Sequence, residues 1–122
     1  MKILLVDDDV FLRDMYATKF GELGHTVTTA ETGELALEML GTGAFDVILL
    51  DMIMPGMNGV ELLKKIDALK LSPLPKCIVL SNQGGKEEIE AAEQAGAVGY
   101  IIKAELIPSE VVAQVTKLVA QQ

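Results

Sequence analysis

Short apolar runs alternate along the chain with longer stretches in which apolar residues recur every three or four positions. The runs are Lys2–Val6, Thr26–Ala30, Val47–Leu50, Lys76–Leu80 and Val98–Ile102, and their length and content predict strands. Ile3–Val6, Val47–Leu50 and Ile78–Leu80 are apolar at successive positions, which predicts parallel strands covered by helices on both faces. Thr26–Ala30 mixes Thr with Val and predicts an edge strand.

The intervening stretches predict helices. Leu12, Met15, Tyr16, Phe20 and Leu23 form the stripe of the first, and Leu62, Leu63, Ile66 and Leu69 that of a middle helix over Asn58–Lys70. Val111, Val115 and Leu118 form that of the last. Gly24 and Gly41 stand where helices should stop, and Pro108 suits a first helical turn. Lys86–Ala95 offers only Ile89 and alanines to a core, so it should be the least firmly packed helix. Five strands and five helices in strict alternation, with right-handed crossovers, predict a doubly wound α/β sheet in a single domain over residues 1–122.

Composition narrows the function. Ten Lys plus Arg against eighteen Asp plus Glu give a net charge of −8, which disfavours direct binding to nucleic acid or to anionic membrane surfaces. No stretch approaches the roughly 20 apolar residues of a membrane span, and the N-terminus does not read as a signal peptide. One cysteine and one histidine leave no internal disulfide and no multi-cysteine zinc site, which fits a reducing cytoplasm and a hard, oxygen-bound metal. Cys77 should be an inert buried thiol, His25 a surface residue, and Met52, Met54 and Met57 flexible core filler.

In a doubly wound sheet, ligands bind beyond the carboxyl ends of the strands. The first strand ends in Asp7, Asp8 and Asp9, the third in Asp51 and the fourth in Ser81 and Asn82, and Lys103 follows the fifth. Carboxylates gathered at one edge repel one another unless a cation neutralises them. Mg²⁺ is the expected cation, because it takes one or two carboxylates and keeps positions open for water or phosphate oxygens. Such a site suits phosphoryl transfer with Asp51 as a carboxylate nucleophile, Lys103 balancing charge and Ser81 offering a hydroxyl.

These pieces, ILLVDDD followed by Arg13, VILLDMIMPGMNG around Asp51, VLSN, and GAVGYIIK leading to Lys103, resemble the receiver domain of two-component response regulators, in particular the chemotaxis-regulator type. The resemblance implies a (βα)5 flavodoxin-like sandwich with strand order 2-1-3-4-5. It implies Asp51 as phosphoacceptor, with Mg²⁺ held by Asp8, Asp51 and the backbone carbonyl of Ile53, and by Asp7 through water. Ser81 matches the switch hydroxyl, Tyr100 the switch aromatic and Lys103 the phosphate-binding lysine, while Asp9 is an extra acid suited to cap the first helix. Arg13 reads as a surface pairing residue. A histidine kinase or phosphotransfer protein, or a small acyl phosphate, would donate the phosphoryl group. The fourth helix, fifth strand and fifth helix would change their protein contacts, toward an output protein or a C-terminal output domain beyond this chain. The chain is then a signalling switch and not an enzyme, beyond assisting its own phosphorylation and dephosphorylation.

Three departures matter. Ala104 follows Lys103 where the family usually has proline, so this loop should take another path. Ile53 cannot hydrogen-bond an attacking water, whereas Gln83 could, which predicts modest self-dephosphorylation, slower than with a polar residue at 53; Gly84-Gly85 should loosen the start of the fourth helix. The alternative is a pseudo-receiver, a phosphorylation-independent interaction module. A Mg²⁺-dependent phosphatase would want a second acid at position 53, and a flavin protein would not place Asp7–Asp9 after its first strand. Val112 and Val119 widen the apolar side of the last helix, which makes a homodimer conceivable.

Overall fold

The computed structural model describes residues 1–121. The elements run β1 (Lys2–Val6), α1 (Val10–Glu22), β2 (Thr26–Ala30), α2 (Gly33–Thr42), β3 (Val47–Leu50), α3 (Gly59–Ala68), β4 (Lys76–Ser81), α4 (Lys86–Gln94), β5 (Ala97–Ile102), a single 3-10 turn (Lys103–Glu105) and α5 (Pro108–Gln121). All strand pairs are parallel, and the sheet order is β2-β1-β3-β4-β5. The strand count, order and edge position of β2 match the expectation.

The consecutive apolar runs follow from burial on both faces. Alternate residues Leu4, Val6, Ile48 and Leu50 point into one core with α2, α3 and α4. Ile3, Leu5, Val47 and Leu49 point into a second core with α1 and α5. All eight are 0–1 % exposed, so no position in β1 or β3 after Lys2 is left for a polar residue.

Some boundaries differ from the sequence reading. Gly24 does follow α1, with a positive φ of 88°. Gly41, however, lies inside α2, which continues to Thr42 and is capped at Gly43. β4 extends to Ser81, and β5 starts one residue early at Ala97. Leu23 stands beyond the end of α1 and is exposed. Val112 is buried, and Val119 is half-buried against the same core. No helix among the described residues is long and apolar enough to cross a membrane.

Candidate functional site

Register builds the site. Val6 pairs with Leu50 across β1 and β3, so the next residues along, Asp7 and Asp51, leave the sheet side by side. Ser81 pairs with Ile102 across β4 and β5, which brings Lys103 out beside them. The result is one cluster: Lys103 Nζ donates to Asp7 Oδ2 at 3.0 Å and to Asp51 Oδ2 at 3.2 Å.

The ammonium and Asp7 are almost wholly enclosed. Burial raises the Asp7 pKa above its ordinary value, outweighing the hydrogen bonds from Asp9 and Lys103 that lower it. Burial works to lower that of Lys103, but the charge of Asp51 and the charge and hydrogen bond of Asp7 prevail and hold it above the usual lysine range. Opposite charges therefore outweigh the burial that disfavours the ammonium.

Asp7, Asp8 and Asp51 each offer a carboxylate oxygen within 4.8 Å of the other two. The Asp8 carboxylate makes no hydrogen bond or ion pair among the described residues and is exposed. An all-oxygen donor set with one uncommitted carboxylate fits Mg²⁺, which prefers hard ligands and keeps part of its water shell. Asp9 instead caps α1, its Oδ1 accepting from the Phe11 and Leu12 amides at 3.0 and 3.2 Å. Its own amide donates to Asp7 Oδ1 at 2.9 Å.

The Asp51 loop is held from below. The Ile53 amide donates to Asp51 Oδ1 at 3.2 Å, while the Ile53 side chain is 56 % exposed. The Gly59 amide donates to the Met52 carbonyl at 2.9 Å, and a Cβ on Gly59 would lie 2.7 Å from the Asp51 carbonyl oxygen and 2.8 Å from Met52 Cα. Met52, Met54 and Met57 are buried in the core.

Ser81 is buried, and its Oγ accepts from the Gln83 amide at 3.3 Å. The Tyr100 hydroxyl donates to the Gln83 carbonyl. Burial raises the Tyr100 pKa, partly offset by a hydrogen bond to Ser81. Ser81 and Tyr100 are thus joined through the β4–α4 loop next to the acidic cluster. Lys103–Glu105, with Ala104 at its centre, forms a 3-10 turn, and Lys103 reaches both acids from it. Cys77 is buried with its thiol pushed up to about 12 by desolvation. His25, half-buried, stands at the opposite edge of the sheet, its Nδ1 3.0 Å from the Met1 ammonium.

One arrangement departs from the sequence reading. Arg13 pairs with no acid among the described residues; its Nη1 donates to the Asp7 backbone carbonyl at 2.9 Å. That partner, like the Gln83 carbonyl bonded by Tyr100, has no signature in sequence because every residue carries a carbonyl.

An acidic edge with a buried lysine between two aspartates, on a parallel sheet of this order, defines a class. The family model of the response regulator receiver domain matches residues 3–116, and the chain belongs to that family. It is 42% identical to the chemotaxis protein CheY of Pseudomonas aeruginosa over 105 residues, 84% of each chain. Among solved structures it resembles the Vibrio cholerae chemotaxis protein CheY4, with TM-score 0.89, 27% identity and coverage of 96% of this chain and 97% of that one. It also resembles the response regulator TrrA of Thermotoga maritima, solved in complex with Mg²⁺ and BeF, with TM-score 0.82, 32% identity and coverage of 96% and 97%. Receiver domains are signalling switches, not classical enzymes.

Proposed function

We infer that this chain, as one receiver domain over residues 1–122, is a phosphorylation-activated switch of a cytoplasmic two-component phosphorelay. Lys103 held between Asp7 and Asp51, with Asp8 uncommitted beside them, is the observation that carries this reading. The Asp51 carboxylate oxygen attacks the phosphorus of a phosphohistidine, on a histidine kinase or phosphotransfer protein, or of a small acyl phosphate. The bond to the donor atom breaks and the leaving group takes its electron pair. Hydrolysis later returns the carboxylate and inorganic phosphate.

Asp8, Asp51 and the Ile53 carbonyl would hold Mg²⁺, with Asp7 acting through water, and the ion would neutralise charge on the transferring oxygens. That TrrA was solved in complex with Mg²⁺ and BeF supports, by similarity, a Mg²⁺ ion at this kind of domain. Lys103 is already protonated and placed to balance a phosphoryl oxygen. Ser81 turning toward the phosphoryl group would disturb its bond with the Gln83 amide, and with it the loop that Tyr100 grips. The phosphoryl group shifts this equilibrium only through bonds it makes better in one arrangement. The altered face is α4, β5 and α5, which would meet an output protein or output domain.

The test is intact mass after incubation with acetyl phosphate and Mg²⁺. A labile gain of one phosphoryl group, lost in Asp51→Asn and without Mg²⁺, is expected. No gain, together with no Mg²⁺ binding, would replace this reading with the pseudo-receiver. The apolar, exposed Ile53 offers no hydrogen bond to an attacking water, so phosphoryl half-life should shorten in Ile53→Asn. A longer half-life in that variant would contradict this.

A further inference from the structure

The β1–α1 loop carries three successive acids and one nearby guanidinium that pairs with none of their carboxylates. Arginine beside carboxylates ordinarily forms charge-assisted, often bidentate pairs. Arg13 instead reaches back six residues from α1 to the Asp7 carbonyl at 2.9 Å, in a half-buried position. That carbonyl belongs to the planar peptide joining Asp7 to Asp8, so fixing its oxygen fixes the plane from which the Asp8 backbone departs. The Asp7 side chain is fixed from the other direction by the Asp9 amide and Lys103. The one carboxylate of this loop without a partner is that of Asp8.

We propose that Arg13 is a positioning residue for the divalent cation: by clamping the 7–8 peptide it aims the free Asp8 carboxylate at the site shared with Asp51. This rests on the receiver reading above. The two effects of Arg13 on a cation have opposite signs. Its positive charge, acting through space, weakens cation binding, so charge removal alone would tighten it. Loss of the clamp would loosen it, as loss of outer-shell partners does.

The experiment is calorimetric titration of the full chain with MgCl₂ alone, without a phosphoryl donor, in wild type and Arg13→Met. The variant should bind Mg²⁺ about tenfold more weakly, the lower end for lost outer-shell partners because the clamp acts on backbone. With acetyl phosphate, the half-saturating Mg²⁺ concentration should rise by the same factor while the rate at saturating Mg²⁺ is retained. A purely structural defect would lower the saturated rate with the folded fraction and leave half-saturation in place. Arg13→Gln replaces the Met variant if the latter does not unfold cooperatively. Equal or tighter Mg²⁺ binding in the variant overturns the proposal while the receiver reading stands. Absence of both Mg²⁺ binding and phosphorylation in wild type overturns both.

Discussion

α3 and α4 lie on the same face of the sheet, and each follows a strand that ends at the site, yet they are held very differently. α3 begins with a capping box in which Asn58 Oδ1 accepts from the Glu61 amide at 2.9 Å and Glu61 Oε1 accepts from the Asn58 amide at 3.2 Å. It buries Gly59, Leu62, Leu63 and Ile66. α4 begins at Gly85 with no side-chain cap and buries only Ala92. The helix after Asp51 is fixed, and the helix after Ser81 is lightly attached. Neighbouring segments that leave the same edge of the sheet thus differ in how readily they open.

The comparison can be broken most forcefully in the core. Leu62→Ala should destabilise by about 3 kcal/mol through cavity formation, whereas Ile89→Ala, at a half-buried position of α4, should cost about 1 kcal/mol. Equal losses in urea unfolding would erase the distinction.

A smaller effect concerns the fixed half and pH. Asp7 ionises at higher pH when folded, because burial opposes its charge. Its protonated form favours folding, so that contribution is complete below the unfolded value near 3.8 and is lost as pH rises through the raised folded value. Asp7→Asn does not titrate, so in Mg²⁺-free buffer its stability relative to wild type should improve from acid to neutral pH. A gap that stays flat would show that burial does not govern this acid.

The caps give the smallest effects. Asn58→Ala should remove about 1 kcal/mol. Gly85→Ser would create a capping box with Glu88, whose carboxylate must swing aside to admit the new side chain. The gain should be only about 0.3 kcal/mol, yet amide exchange in α4 should slow toward that of α3. Unchanged exchange would mean that the missing cap is not what loosens α4.

The elements legible in sequence were those whose signal is repeated. Buried parallel strands have no solvent face, so Ile3–Val6 and Val47–Leu50 stand out as unbroken apolar runs, and the thin apolar content of Lys86–Ala95 agrees with a helix that buries only Ala92. Gly41 was misread because a glycine near a helix end resembles a stop, while Thr42 continues the turn and Gly43 takes the cap. In the site, the acids and Lys103 were legible because their strand ends fix their positions. Arg13 was not, since its chemistry is with a backbone oxygen. Val112 and Val119 widen the apolar side of α5, and spacing alone does not show that both also pack on this chain's own core.

Gly59 sets a tolerance as well as a helix boundary. With no side-chain carbon between α3 and the Asp51–Met52 backbone, helix and Asp51 behave as one solid piece. Any side chain at position 59 acts as a wedge, and the displacement it forces is delivered to Asp51. Gly59→Ala should therefore register as slow phosphorylation of a protein whose helix content is nearly intact, an alignment fault transmitted through a joint that has no slack.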